Sequence, residues 1–355
     1  MYHKNNNNGL LLEQISNYIK HAPYRRIKRS GSLGLSDNSV RNLMVFEKLI
    51  RDFEKHIGNQ IMLNAIDHML VNMFKEWLLT EKTYSLNNAG LQLKLLKMIC
   101  KEAERMNIPV NPYTRHIESF TQKSRDRVLQ TISFEEIKKI KSLKHLPSTL
   151  ENARKWMLIG LYIGQRVSDL LILNPSQLRF IELGVYVDIK QQKTDKNVTI
   201  GVVDSDVIKI LKYKFPYSIS AQMFNRQIKQ VCKIAGINEM VSGYKLCPKT
   251  RRKKLGTHPK SSIISSHDLR RSFATNYFGK IEAPILMQIT GHSKESTFLS
   301  YIGSQVNKDT YADAFMKVAV NFVGSGVSLQ TPSFFLSISL SNVNSSLTGL
   351  VLGRI

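Results

Sequence analysis

The feature that most limits how this chain can fold is the helical spacing of apolar residues near its start. In SDNSVRNLMVFEKLIRDFEKHIG, apolar side chains recur every three or four residues. A helix has about 3.6 residues per turn, so this spacing draws one apolar stripe along it. We predict a helix that is capped by Asp37 or Ser39 and ends at Gly58. Its stripe consists of Leu43, Phe46, Ile50, Phe53 and Ile57.

Further amphipathic segments surround this helix. A shorter one with Leu11, Ile15 and Ile19 on one face precedes it, and IDHMLVNMFKEWLL and SLNNAGLQLKLLKMICKEAERMNI follow it. Four helices can bury one common core. We therefore predict a helical domain over residues 9–120, and the polar stretch after it predicts a linker over residues 121–130.

The second half of the chain changes period. TLENARKWMLIGLYIG is an apolar helical segment, whereas in GVYVDIKQQKTDKNVTIGVV the residues Val185, Val187 and Ile189 alternate with more polar ones. The polar stretch KTDKN supplies a turn, so the pattern predicts a β-hairpin. Helical patterns then resume and continue, after a basic loop, to about residue 322. The predicted fold class is mainly α with a small β-hairpin or sheet (α+β).

The last segment, residues 323–355, differs in composition from the rest. No charged residue lies between Lys317 and Arg354, and LSISLS alternates as a strand does. No apolar run is long enough to span a bilayer. We expect a loosely ordered appendage; a partner-docking segment or an altered reading frame would also fit this composition.

The balance of charge restricts the partners of the chain. Its 355 residues include 51 Lys and Arg against 27 Asp and Glu, a formal net charge of +24. Such an excess predicts a polyanion, with nucleic acid favoured over an anionic membrane surface or solubility alone. Three cysteines without a CxxC pair, and no leader at MYHKNNNN, predict a reduced cytoplasmic protein.

The stretch SSHDLRRSFATNYF places His267 three residues before Arg270. On a helix capped by Ser265 or Ser266, these positions share one face about 5–6 Å apart, so both side chains can reach one anionic group. A helix start also favours a phosphate. Taken alone, however, the pair is more typical of a surface histidine beside a solvated arginine.

Other segments add residues that suit the same chemistry. Arg166 follows an apolar helix with Asp169 three residues on, where it can orient the guanidinium, and Lys193 lies in the predicted hairpin turn. His292 follows a glycine in ITGHSKESTFLSYIG, and Tyr301 comes nine residues later. Each alone has a structural explanation, as an ion pair, a turn lysine or a packing residue.

The order of these residues resembles the tyrosine recombinase (phage integrase) family. That family has an arginine in a TGLRxSEL-like segment, a lysine on a β-hairpin, HxxR, GH and then a tyrosine. The resemblance implies a helical core-binding (SAM-like) domain, a catalytic domain over residues 131–322, and a C-shaped clamp on DNA. Gln165 stands where leucine is usual before the first arginine, and Thr290 where leucine commonly precedes GH; we expect both differences to matter little.

By that resemblance, Tyr301 is the nucleophile that attacks a DNA phosphate and leaves a 3′-phosphotyrosyl bond. Arg166 and Arg270 bind the nonbridging oxygens, where planar guanidinium groups suit the charge of the transition state. The resemblance implies no metal and no cofactor, because the arginines take the role of a Lewis acid. It also implies no ATP, because the phosphotyrosine retains the energy of the broken bond.

The remaining roles concern protons. The resemblance implies that Lys193 protonates the departing 5′-oxygen, that His267 assists removal of the tyrosine proton, and that His292 hydrogen-bonds the phosphate. Tyr311 is the rival nucleophile, at the wrong distance from GH.

Two basic runs are candidate DNA contacts, since phosphates bind lysine and arginine. The expected partner is double-stranded DNA at specific inverted-repeat sites, with a homotetramer in the synaptic complex, an optional host bending factor or excisionase, and no membrane. The location implied is the cytoplasm of a prokaryote, at the nucleoid. The candidate contacts are Arg25, Arg26, Lys28, Arg29, Lys249, Arg251, Arg252, Lys253 and Lys254.

The function predicted is therefore integration or excision of a mobile element or phage by a site-specific recombinase. A Xer-like resolvase or a DNA invertase would carry the same residues. Two classes further from this prediction also stay open: a type IB topoisomerase, and a catalytically silent DNA-binding relative.

Overall fold

The N-terminal part of the chain is a four-helix unit, as the apolar spacing predicts. Its helices are α1 (Leu11–Lys20), α2 (Asp37–Ile57), α3 (His68–Leu79) and α4 (Leu86–Arg105). This computed structural model describes residues 9–25, 31, 33–122, 128–248 and 252–302, together with residues 312, 315, 316, 319 and 320.

Helix α2 packs its predicted stripe into the core of this unit. Phe46, Ile50 and Phe53 are almost fully buried, and Leu11 and Ile15 of α1 meet the same core. The predicted cap was wrong by a few residues: the Ser36 hydroxyl accepts the hydrogen bond from the amide of Ser39. Ser36 lies in extended backbone, the conformation that frees a cap side chain to turn back onto the helix.

The remaining helices build a second core around α6. Trp156, Met157 and Ile159 of that helix are buried, and α9 and α11 pack against it. The other helices are α5 (Phe134–Lys141), α6 (Ser148–Ile163), α7 (Val167–Leu170), α8 (Ser205–Tyr213), α9 (Ala221–Ile234), α10 (Lys260–Ile263), α11 (Ser266–Tyr277), α12 (Ala283–Thr290) and α13 (Glu295–Ile302).

The predicted hairpin is confirmed and belongs to a three-stranded antiparallel sheet. Strands β1 (Leu178–Ile181), β2 (Gly184–Lys190) and β3 (Asn197–Val202) lie in that order, with Val187 paired to Leu178 on one side and Ile200 on the other. The alternating residues of β2 and β3 turn one face of the sheet into the core. The predicted α+β class is confirmed.

A second, two-stranded sheet was missed at the sequence level. Strands β4 (Met240–Leu246) and β5 (Lys253–Pro259) form an antiparallel hairpin. Lys253 and Lys254, assigned to a loop by their charge, lie on β5. Most side chains of both strands are exposed, so their sequences lack the apolar alternation that marks a half-buried strand.

A small third cluster holds the last described helix. Phe298 and Ile302 of α13 pack with Phe273 of α11 and Leu286 of α12. This packing brings the C-terminal end of α13 beside the first turn of α11. Part of the predicted linker, the predicted tail over 323–355 and the rival Tyr311 lie outside the described residues.

Candidate active site

Arg270 lies at the centre of the site and is almost fully buried. It projects from α11, and its guanidinium donates one hydrogen bond of 3.2 Å to the carbonyl of Gly164, at the end of α6, and another to the carbonyl of Thr290, at the end of α12. Burial, together with the nearby Arg166, lowers the pKa of Arg270 to about 10. A buried cation that repels a second cation favours an anion between them.

Arg166 stands in the turn between α6 and α7, beside the predicted Asp169. The nearest approach of the guanidinium to the Asp169 carboxylate is 3.9 Å, an ion pair without a close hydrogen bond. The other oxygen of Asp169 accepts a 3.0 Å hydrogen bond from the backbone amide of Gln192. Asp169 therefore ties the turn that carries Arg166 to the β2–β3 turn that carries Lys193.

Lys193 lies at the exposed tip of the β2–β3 turn, within residues 192–194. The turn is closed by backbone hydrogen bonds of 2.8 Å between Gln191 and Lys196 and between Asp195 and Gln191. The predicted position of Lys193 on a hairpin is confirmed.

His292 follows α12, and Thr290 fixes the orientation of its ring. The Thr290 hydroxyl donates to the carbonyl of Leu286 at 2.6 Å, so its 2.8 Å contact with His292 Nδ1 is satisfied when Nδ1–H donates to the threonine oxygen. Burial, then the charges of Arg270 and Arg166, lowers the pKa of His292 to about 4. The neutral ring therefore carries its free lone pair on Nε2.

Tyr301 packs among both histidines near the end of α13. Its ring centroid lies 5.1 Å from that of His267 and 4.9 Å from that of His292, and Cζ of Arg270 lies 5.9 Å from it. The hydroxyl donates a 3.3 Å hydrogen bond to the backbone carbonyl of His267. The structure thus brings Tyr301, both histidines and Arg270 to one place from α11, α13 and the segment just after α12.

The protonation states of the site are set by burial against positive charge. Burial raises the pKa of Tyr301 above its usual value, although Arg270 and Arg271 oppose that shift. Partial burial lowers the pKa of His267, and the positive charge of Arg271 lowers it further. Both shifts keep the phenol and the imidazole neutral at neutral pH.

Arg271 is a site residue that sequence reasoning missed. Its guanidinium pairs with the Asp268 carboxylate, and it donates hydrogen bonds of 3.1 Å to the backbone carbonyl of Tyr301 and 3.3 Å to that of Gln130. Asp268 in turn accepts from the amide and hydroxyl of Ser265, which caps α11. The doubled arginine in HDLRRSF was a weak signal for this role.

Gln165 and Thr290, which we expected to matter little, are also part of the site. Both are buried, at 1% and 0% exposure. Gln165 donates to the carbonyl of Ile289 on α12, and the Thr290 hydroxyl contacts His292 within its own segment. A polar residue in place of leucine requires hydrogen-bond partners once it is buried, and both residues have them. That these two differences matter little stays a prediction.

The candidate DNA contacts differ in what the structure places around them. Arg25 donates a 2.8 Å hydrogen bond to Glu102 and lies over the ring of Tyr18, 3.4 Å from its centroid. Lys253 and Lys254 are exposed on β5. Five others, Arg26, Lys28, Arg29, Lys249 and Arg251, lie outside the described residues.

Arg252 connects the N-terminal helices to the β4–β5 hairpin. Its guanidinium donates to the backbone carbonyls of Lys82 and Thr83, and its Cζ lies 5.2 Å from the ring centroid of Tyr84. These contacts join two parts of the chain whose hydrophobic cores are separate.

A metal site requires a cluster of ligating side chains, and a membrane crossing requires a long apolar helix. There, no group of three or more His, Cys, Asp or Glu side chains could hold a metal ion. None of the helices in the described part of the chain combines the length and apolarity that a membrane crossing requires.

Comparison with known proteins identifies the class of fold. Residues 11–120 match the model of the phage integrase SAM-like domain. The chain has the fold of the tyrosine recombinases, so the resemblance predicted from its sequence is confirmed at the level of the fold.

Several solved structures carry this fold. A lambda integrase(75-356) dimer bound to a COC′ core site matches with a TM-score of 0.60 and 18% identity, over 82% of this chain and 94% of that one. XerH site-specific recombinase bound to palindromic difH substrate, in a post-cleavage complex, matches with a TM-score of 0.55 and 13% identity, over 88% of this chain and 95% of that one. The Tn1549 transposon integrase in complex with transposon right end DNA matches with a TM-score of 0.55 and 15% identity, over 87% of this chain and 99% of that one. No curated protein matches the chain by sequence.

Proposed function

We propose that this chain is a site-specific DNA recombinase of the integrase type, which cleaves and rejoins DNA through a 3′-phosphotyrosyl intermediate. The observation that carries the proposal is the packing of Tyr301 against His267 and His292, with the buried Arg270 guanidinium 5.9 Å from its ring. A phenol beside a buried guanidinium and two neutral imidazoles has what a phosphoryl transfer requires: a nucleophile, a base and a cation.

In the proposed reaction the Tyr301 oxygen forms a bond to the scissile phosphorus while the bond to the 5′-oxygen breaks. Arg166 and Arg270 stabilise the charge on the nonbridging oxygens, as planar donors can. His267 assists transfer of the phenol proton, and Lys193 delivers a proton to the leaving 5′-oxygen. Because a phosphodiester is exchanged for a phosphotyrosine, the reverse reaction rejoins DNA without ATP.

His292 would contribute to phosphate binding once it is protonated. The Thr290 contact leaves Nε2 as the atom available to substrate, and a neutral Nε2 accepts hydrogen bonds only. A phosphate placed beside the ring would favour the protonated form, because an opposite charge raises the pKa of an imidazole. His292 would then donate through Nε2.

We propose double-stranded DNA as the substrate. The net charge of +24 and the exposed Lys253 and Lys254 support this proposal. The similar lambda integrase structures are complexes with DNA, and one of them is a tetramer bound to a Holliday junction. By analogy, four protomers would bind two duplexes at inverted sites. The helical domain over 9–120, the linker over 121–130 and the catalytic domain over 131–322 would close as a clamp on each duplex.

A suicide-substrate assay tests the proposal. Nicked duplexes from the ends of the genetic element that encodes the protein would be incubated with wild type and with Tyr301→Phe, denatured, and resolved for a covalent protein–DNA band. We expect a band for wild type and none for the variant. DNA that wild type binds but does not cleave would contradict catalysis and favour a DNA-binding role.

A further inference from the structure

Gln191 is a fully buried amide next to the turn that carries Lys193. It directly follows β2, has 0% exposure, and lies against the equally buried Gln165, which precedes Arg166. A buried glutamine is costly unless its amide is hydrogen-bonded. The partners of Gln191 therefore indicate what the residue is for.

Every polar atom of the Gln191 side chain is used. Its Nε2 donates to Gln165 Oε1 at 2.8 Å and to the carbonyl of Ile289 at 3.1 Å. Its Oε1 accepts from the hydroxyl of Thr194 at 2.7 Å and from Nη1 of Arg166 at 3.4 Å. One amide thus joins the Lys193 turn, the Arg166 segment and the end of α12 just before His292.

Gln165 completes the connection. Its Nε2 donates to the carbonyl of Ile289 at 2.8 Å and to that of Ile163 at 3.1 Å. The carbonyl of Ile289 therefore accepts from both glutamines, and α12 is held against the segment that carries Arg166.

The backbone of Gly291 packs closely against the side-chain amide of Gln191. A Cβ built on Gly291 would lie 2.1 Å from Gln191 Oε1, and Gly291 has a φ of +64°. The glycine of the GH pair is thus required both by its left-handed backbone and by the close approach of the amide.

We infer that Gln191 is a positioning residue, which holds Lys193 at a fixed place relative to Arg166 and so enables Lys193 to protonate the leaving group. The inference rests on the proposed function, in which Lys193 is the general acid. Thr194, the neighbour of Lys193, is bonded directly to Gln191 Oε1, and an exposed lysine on an otherwise free turn would sample many positions.

The chemistry of the leaving group distinguishes a role of Gln191 in positioning Lys193 from a role in packing alone. An alkoxide leaves poorly without a proton, whereas a thiol has a pKa of about 8.5 and leaves as the thiolate. In a 5′-bridging phosphorothiolate substrate the P–S bond breaks, the Tyr301 O–P bond forms, and the thiolate departs unprotonated. A loss that comes from misplaced Lys193 should therefore disappear on this substrate.

The experiment compares single-turnover cleavage of phosphodiester and phosphorothiolate substrates at saturating protein. The variants are Gln191→Met, which keeps the approximate shape of the side chain without its hydrogen bonds, and Lys193→Ala. The matched control is Gln222→Met, at an exposed glutamine on α9. Thermal unfolding establishes that each variant is folded.

We expect Gln191→Met to cleave the phosphodiester on the order of 10- to 100-fold more slowly than wild type, and the phosphorothiolate within about threefold of the wild-type rate. Lys193→Ala should show the same pattern with a larger loss, and Gln222→Met should match wild type. Equal losses on both substrates, or no loss on either, would overturn the inference. A wild type that binds DNA and cleaves neither substrate would instead contradict the proposed function.

Discussion

At the residue scale, the site depends on Arg270, a buried cation whose hydrogen bonds within the described residues go to backbone carbonyls. Arg270 is held by two backbone carbonyls, and Asp169, the acid nearest to Arg166, approaches it only to 3.9 Å. Carbonyl dipoles orient a guanidinium without neutralising it. The positive charge therefore remains available to an incoming phosphate, at a cost in stability.

Replacing Arg270 by lysine tests this arrangement. Lysine keeps the charge but cannot donate to both carbonyls and a phosphate from a planar group. We expect Arg270→Lys to reduce single-turnover cleavage by roughly 100-fold or more, while DNA affinity falls far less. Arg179→Lys, at an exposed arginine paired with Asp188, is the control and should cleave normally. Cleavage by Arg270→Lys near the wild-type rate would refute the need for a planar group.

His292 predicts a specific acid sensitivity. Its folded pKa of about 4 lies below the value of 6.5 for a free imidazole. Between these two pH values the unfolded state binds a proton that the folded state refuses, so stability falls as the pH falls from 6.5 to 4. His292→Gln should lose this contribution, on the order of 1–2 kcal/mol given the partial exposure of the ring.

Urea unfolding of wild type and His292→Gln at about pH 7.5 and about pH 4.5, on either side of the free imidazole pKa, measures this contribution. Between the higher and the lower pH, the unfolding free energy of wild type should fall by more than that of His292→Gln. A difference that stays constant across the two pH values would mean that the ring is not kept neutral by its surroundings.

At the scale of secondary-structure elements, Arg271 links α13 to α11. It reaches the carbonyl of Tyr301 from the first turns of α11, and its ion pair with Asp268 is nearly buried, at 9% and 10% side-chain exposure. The carboxylate also caps α11 through Ser265. The position of the proposed nucleophile thus depends on a capped helix and one buried ion pair.

A double-mutant cycle on this pair tests the link. Arg271→Met leaves Asp268 buried without its partner, and we expect a loss of about 2–4 kcal/mol in unfolding free energy with slower cleavage. Asp268→Asn added to Arg271→Met should recover part of that stability, since the unpaired charge is gone. If the losses of Arg271→Met and Asp268→Asn simply add in the double variant, the ion pair contributes no coupling energy to stability.

At the scale of the whole molecule, the core of the N-terminal helices is separate from the main core of the later helices, and the chain carries a formal net charge of +24. The contacts of Arg252 with Lys82 and Thr83 cross between them. These carbonyl partners carry no formal charge, so they do not neutralise the Arg252 guanidinium. This excess of positive charge suits a polyanionic partner.

The charge predicts a steep dependence of DNA binding on salt. If about 6–10 phosphates are neutralised, the association constant should fall by roughly 10³- to 10⁵-fold between about 50 and 200 mM salt. Fluorescence anisotropy with a labelled duplex at several salt concentrations gives the slope. Lys253→Ala with Lys254→Ala should make that slope shallower if these side chains contact phosphates, and an unchanged slope would remove them from the DNA interface.

The sequence by itself determined the local structure and the chemical groups. The stripe of α2 and the alternation of β2 follow from periodicity, because each periodicity leaves one face apolar. The types and order of Arg166, His267, Arg270 and Tyr301 likewise stand in the sequence.

Only the tertiary structure decided how these groups are held. The β4–β5 hairpin escaped prediction because its strands are mostly exposed and show no apolar face. Gln165 and Gln191 read as ordinary polar residues, and their roles arise because α6, β2 and α12 meet and exclude water around them. Burial turns a neutral amide into an obligatory connector, and burial is a property of segments distant in sequence that only the folded chain brings together.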